Sequence, residues 1–220
     1  MRIGALHSTN YRTDYVGYEA TGDKKTDEFY SCLSSAVEKS TTDGTGEVLG
    51  LTMIKYNDSI HYGMSATYST ASTEADPIVR ISSNYGGEQR YYDVHVKDVD
   101  PKNASQLEMF ALSCYQDDQG ITDGGTYGSF TRMKAYASNA AYIGKGIDLQ
   151  DPDNASAKID WVAMLQQMSQ LYLQNSQTYS QYLDCVSLAS KLENWSDEVN
   201  KTYGPTVTKQ NRLTWKAGCL

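Results

Sequence analysis

The sequence predicts an α+β fold: a four-stranded antiparallel sheet over about residues 47–97, packed on a C-terminal layer of about four helices over about residues 100–195. Apolar residues alternate with period two from Glu47 to Val96, the signature of half-buried strands. After Val99 the apolar period lengthens to that of amphipathic helices and stays there. Strands precede helices instead of alternating with them, which is the order of an antiparallel sheet with one covered face.

Residues 1–45 read as a polar arm rich in Tyr and Thr. Within it Phe29, Cys32, Leu33, Ala36 and Val37 share one helical face and predict a short helix that ends in the polar run from Ser40 to Gly46. Leu49, Leu51 and Met53 mark the first strand, Ile60, Tyr62, Met64, Ala66 and Tyr68 the second, Val79 and Ile81 the third, and Tyr92, Val94 and Val96 the fourth. Asn57-Asp58 and Asn84-Tyr85-Gly86-Gly87 are tight-turn chemistry, because Asn, Asp and Gly tolerate positive φ, so the strands pair as two hairpins in a meander. Pro77 suits the start of the third strand, where a missing N–H costs nothing.

For the first helix after the sheet, Asp100-Pro101 and the capping box Ser105-Gln-Leu-Glu108 both offer a start; Leu107, Phe110, Ala111 and Cys114 form its apolar face and Gly120 its end. A second helix carries Phe130, Met133, Ala137 and Ala141 and ends near Gly144. A third, from about Ser156, carries Trp161, Leu165, Met168 and Tyr172, and a fourth carries Tyr179, Tyr182, Val186, Ala189 and Leu192. Residues 46–195 thus form one domain, followed by an extended tail over 196–220 that contains Gly204-Pro205.

A chain of 220 residues and 24.4 kDa holds one ordinary core. Its net charge of −8 argues against an electrostatic grip on nucleic acid or on an anionic membrane, and no apolar run is long enough for a membrane span. With no signal-like start, the cytoplasm is the default location. Cys32, Cys114, Cys185 and Cys219 lie far apart, match no zinc or redox spacing, and read as free thiols. Against 3 Phe and 3 Trp stand 18 Tyr, a residue whose ring packs while its hydroxyl seeks a partner, so the bias favours half-buried faces and interfaces.

The Gly-rich loop Asp117-Asp118-Gln-Gly-Ile-Thr-Asp123-Gly124-Gly125-Thr126-Tyr-Gly-Ser129 is the sharpest local feature. Converging backbone N–H groups at a helix start suit an anion, and the carboxylates of Asp117, Asp118 and Asp123 suit a hard cation. The loop lacks a Walker lysine and the spacing of an EF-hand, and the same residues are ordinary helix caps, with Gly120 closing one helix and Thr126 or Ser129 opening the next. The loop Asp148–Asn154 reads similarly, as a turn with oxygen ligands. By strand parity His61, Asp93 and His95 share the face away from Tyr62, Val94 and Val96, a trio with the chemistry of a metal site or a general acid–base pair if their strands adjoin. No nucleophile elbow and no cofactor motif is present.

The blocks Asp100-Pro-Lys-Asn-Ala-Ser-Gln-Leu-Glu-Met-Phe-Ala-Leu, Asp117-Asp-Gln-Gly and Asp123-Gly-Gly-Thr-Tyr-Gly-Ser, with Asp160-Trp161 and the Tyr-rich last helix, resemble a family of functionally uncharacterised proteins of clostridial, Gram-positive bacteria over residues 78–195. The resemblance implies a bacterial origin and no activity, and the polar arm is compatible with non-classical export. Two functions are consistent with these readings. The first is a non-catalytic module that engages a protein partner or a second copy of itself. The second is a small-ligand or metal-binding protein, or an enzyme, built on the Asp118–Ser129 loop or the His61/Asp93/His95 face.

Overall fold

The structure, a computed structural model, describes residues 44–55, 61–84, 89–125, 128–151, 154 and 156–203. The expected helix at 29–37, the turns at 57–58 and 85–87, His7, Cys32 and Cys219 lie outside the described residues.

Strands β1 (Gly44–Lys55), β2 (His61–Ser69), β3 (Ile78–Ser83) and β4 (Arg90–His95) form an antiparallel meander in the order β1-β2-β3-β4. Helices α1 (Gln106–Asp118), α2 (Ser129–Tyr142), α3 (Trp161–Tyr172) and α4 (Tyr179–Tyr203) follow. The fold is α+β, as the change of period predicts.

β1 departs from the alternation expected of it. Gly50 pairs with Ala66 and Thr52 with Met64, so these residues face the helices, while Leu51 pairs with Ser65 on the opposite face. A shift of register between Val48 and Gly50 allows this, and Leu49 still packs against the core. The physical reason is close approach: a Cβ on Gly50 would lie 2.5 Å from Cys114 Sγ, so only glycine lets α1 come this near the strand.

α1 is the helix that spreads across β1, β2 and β3. It is buried on nearly all sides, from Met109, Phe110, Ala111 and Leu112 through Cys114, because other helices cover its far side. Its start is at Ser105, with the complete capping box: Ser105 Oγ accepts from Glu108 N, and Glu108 Oε2 accepts from Ser105 N at 2.7 Å. Lys158 pairs with the same carboxylate. Burial pushes the Glu108 carboxyl up, but the hydrogen bonds from Lys158 and from the Ser105 backbone and hydroxyl prevail and hold it below its ordinary value.

The end of α1 is Gly120, in the left-handed region at φ 67°. α2 begins neither at Thr126, outside the described residues, nor with Ser129 as its cap: its N-cap is Gly128, which has no side chain to give. α3 begins at Trp161, capped by Asp160, whose carboxylate accepts from Ala163 N at 2.8 Å. Trp161 is fully buried, and its Nε1 donates to Ala104 O at 3.0 Å. Ala104 and Ile159 exchange backbone hydrogen bonds of 3.1 and 3.2 Å, and Trp161 N donates to Pro101 O at 3.0 Å, so the starts of α1 and α3 are stitched together. Burying an indole of this size removes about 200 Å² from water, on the order of 5 kcal/mol gross.

α4 differs from expectation twice. It runs to Tyr203, past residue 196 where the tail was expected, because Leu192 and Trp195 are still buried and keep the helix docked. Its core stripe is Cys185, Leu188, Ala189, Leu192 and Trp195, while Tyr179 and Val186 are exposed. The expected and actual stripes share Ala189 and Leu192, and apolar residues on both flanks made the face ambiguous by about 100°.

Candidate functional site

Asp117 sits at the end of α1, and its carboxylate reaches across the loop to the next helix. Oδ2 accepts from Ser129 N at 2.8 Å and Oδ1 accepts from Thr122 Oγ1. Asp117 therefore supplies the cap that Gly128 lacks and places a negative charge at the positive end of α2. Asp118 accepts from Tyr68 OH at 2.6 Å and from Gln119 Nε2 at 2.9 Å. Burial, then the hydrogen bond and charge of Asp118, raise the Tyr68 phenol well above its ordinary value.

Asp123 Oδ1 accepts from Gly125 N at 3.0 Å, and its carbonyl accepts from Arg132. A Cβ on Gly124 would come within 3.1 Å of the Asp117 carboxyl group, so the loop backbone packs directly on that group. The carboxylates of Asp117 and Asp118 hold two helices and a strand together, and that of Asp123 turns its own loop. Asp148 does the same in its own loop, accepting from Gln150 N at 2.9 Å.

The structure does not assemble the His61/Asp93/His95 trio. Asp93 holds Arg80 in a two-pronged pair, Nε to Oδ1 at 2.7 Å and Nη2 to Oδ2 at 2.8 Å. His95 Nδ1 lies 2.9 Å from Asp76 Oδ2. His61 is on β2 and His95 on β4, with β3 between them. Their pairing, with Lys55 and Ile78 respectively, puts them toward opposite ends of the sheet, on the order of 25 Å apart along the strands. Strand parity identified the face correctly for Asp93 and left strand order and position along the strand undetermined. Among the described residues no three His, Cys, Asp or Glu gather to hold a metal.

Several other polar groups also bind the fold, while the carboxamides of the buried Gln106 and Gln116 have no hydrogen-bond partner among the described residues. Arg132 Nη1 donates to Asp184 Oδ1 at 2.5 Å and Tyr136 OH to Asp184 Oδ2 at 2.8 Å, tying α2 to α4. Lys134 Nζ donates to Met53 O at 2.5 Å and to Thr52 Oγ1 at 3.2 Å, and burial pulls its pKa down to about 8. Cys114 and Cys185 are buried free thiols, both pushed up from the ordinary thiol range by that burial and by a neighbouring aspartate.

A different surface stands out: the outer side of the α3–α4 hairpin. From Trp161 to Leu183, 23 residues between Asp160 and Asp184, the chain carries no Asp, Glu, Lys or Arg, although 21% of the whole sequence is charged. The inner side of α3 is Trp161, Val162, Leu165 and Met168, which are core. Its outer side is Ala163, Gln166, Gln167 and Gln170, all exposed. On α4 the exposed residues Tyr179, Leu183 and Val186 are spaced by four and three and so lie on one face. Ala163, Gln166, Gln167 and Gln170 of α3 and Val186, Ala189, Ser190 and Glu193 of α4 line an open groove of about 620 Å³. A second depression of about 380 Å³ adjoins it at Ala163 and Gln167. Only at its far end is the groove charged, where Glu193 accepts from Gln166 Nε2 at 2.9 Å.

Sequence reasoning by motif missed this surface, because it contains no motif. The signal that would have found it is negative: a 23-residue run without charge that is too polar, with six Gln, to be core on all sides. Of the tyrosines, Tyr68, Tyr136 and Tyr172 hydrogen-bond within the fold, Tyr91 is half-buried on the sheet, and Tyr142 and Tyr179 are exposed. No helix among the described residues is long and apolar enough to cross a membrane. Comparison with protein-family models, curated proteins and solved structures finds no match to this chain, so its function is argued from geometry alone.

Proposed function

We propose that this chain is a non-catalytic protein-interaction module whose binding surface is the outer side of the α3–α4 hairpin. The observation that carries the reading is a helical surface whose only charged groove residue is Glu193, at its far end, with Tyr179, Leu183 and Val186 exposed in an otherwise well-charged protein. Solvated helix faces are normally a quarter or more charged, and contiguous apolar exposure rimmed by polar groups marks interaction sites. Interface centres are depleted of charge and enriched in aromatic anchors, which is the composition found here. Asp117, Asp118, Asp123, Asp93 and His95, which have the chemistry for a ligand or a reaction, are engaged in caps, hydrogen bonds and ion pairs, which favours this reading over an enzymatic one.

The test is crosslinking in the protein's own cells followed by recovery of the complex, with Leu183→Glu beside the parent chain. Leu183 is half exposed, so the substitution leaves the fold intact and places a charge in the surface. Loss of the recovered complex is expected. A complex recovered unchanged from Leu183→Glu would remove the hairpin from consideration.

A further inference from the structure

We propose that the face of the sheet turned away from the helical layer is a docking seat, and that its occupant is the chain's own segment 29–37, which precedes β1. The seat is separate from the hairpin surface proposed above and does not depend on it.

Strand pairing separates the two faces. Gly50, Ala66, Ile81 and Tyr92 stand in register and look toward α1, while Leu51, Ser65, Ser82 and Tyr91, one position away in each strand, look the other way. On that second face Ser65 is 0% exposed and Thr67 2%. Around Ser65 the same face carries Gly63, Thr67 and Ser82, which are too small to close over it. The Arg80–Asp93 pair borders Thr67 and Gln89 donates to Ser82 Oγ, but both lie on the β3–β4 side, and on the β1 side the neighbour is the half-buried Leu51. Burial this deep in a floor of small polar residues requires a layer above it, and the described helices pack on the opposite face.

Chain length and side-chain size select the occupant. β1 opens at Gly44 on the edge of the sheet, seven residues after Val37. At about 3.3 Å per residue that link reaches about 23 Å, enough to bring 29–37 back over the strands. Phe29, Cys32, Leu33, Ala36 and Val37 recur at helical spacing. Nine residues of helix are about 13 Å long, close to the breadth of three strands about 4.8 Å apart. Large apolar side chains suit a floor of Gly63, Ser65, Thr67 and Ser82, because the small residues admit a close approach and the incoming residues supply the apolar area that the floor lacks. The other end of the chain leaves from α4, in the helical layer on the far side of the sheet.

The full chain carrying Ser65→Cys is treated with a thiol reagent, and labelling is followed site by site by peptide mass spectrometry, with the buried Cys114 and Cys185 as gauges of an intact fold. The introduced thiol is expected to label at least about tenfold more slowly than in the urea-unfolded chain, and adding Leu33→Glu is expected to speed it at least about tenfold while Cys114 and Cys185 stay protected. Leu33→Ser, a milder change, is measured beside it and is expected to act in the same direction, so that the reading survives if Leu33→Glu exposes the two gauge thiols. Fast labelling at the introduced thiol in the chain with Leu33 intact shows an open face and overturns the docking seat. Labelling that stays slow in both Leu33 variants overturns segment 29–37 as the occupant. Protection that is lost on dilution from about 100 to about 1 μM assigns the cover to a second copy and overturns it equally.

Discussion

Replacing Gly50 by Ala tests the tightest approach in the core. The added methyl would lie 2.5 Å from Cys114 Sγ, 3.7 Å from Cys114 Cβ and 3.8 Å from Phe110 Cε2. Ordinary van der Waals contact begins near 3.4 Å, so the sulfur must retreat by nearly an ångström, either by moving α1 off β1 or by leaving its rotamer. Overpacking of this kind costs about 1–3 kcal/mol, while Ala in place of Gly restricts the unfolded chain and returns about 0.4–1 kcal/mol. A net loss of about 1–2 kcal/mol is expected. Cys114→Ala removes the offending atom and leaves the other two distances ordinary, so the double variant should recover most of the loss. The assay is a double-mutant cycle by urea denaturation, followed by tryptophan fluorescence. A favourable coupling of about 1–2 kcal/mol is expected; effects that add to within about 0.5 kcal/mol would refute the steric account.

Asp117→Ala removes the cap of α2 and the partner of Thr122 together, and should destabilise the protein by about 1–2 kcal/mol, with faster amide exchange at Ser129 N. Unchanged exchange at Ser129 would contradict the capping role. Lys134, with its folded pKa near 8 and an unfolded value near 10.4, binds its proton more tightly in the unfolded chain, so its contribution to stability rises with pH across that window. The buried Cys114 and Cys185 thiols act oppositely, since they ionise from about pH 8.5 only when unfolded, so the readout is the difference between the parent and Lys134→Met. The parent should gain on that variant between pH 8 and 10 in denaturant midpoints, and parallel curves would show that the lysine is not held as described.

Much of the architecture was readable because it rests on local period. The alternation through Met64, Ala66, Val79, Ile81 and Val94 places these residues in the core, and the capping box at Ser105 starts α1 where its spacing says. What was not readable depends on contacts distant in sequence. Leu51 turns away from the helices because of a register shift that accommodates a cysteine more than sixty positions on, and nothing within β1 reports that. Asp117 belongs to two helices at once, a role visible only when Ser129 is beside it. The His61/Asp93/His95 trio was consistent with parity but required a neighbourhood of strands that the meander does not provide. Tyr179 and Val186 were assigned to the core by hydrophobicity alone, and their exposure is what makes the hairpin a surface of interest.

The stitch between Ala104 and Ile159 closes the intervening chain, with α1 and α2 inside it, into a ring fastened by backbone hydrogen bonds and by the Trp161 indole. A ring has one covalent path and one non-covalent path between any two of its points. Breaking the peptide chain in the exposed stretch from Ile143 to Asp148 therefore leaves two pieces that remain fastened at the seam, each carrying part of the same core. A fragment ending there and one beginning there hold complementary halves of a single core, joined at the seam of Ala104 and Ile159.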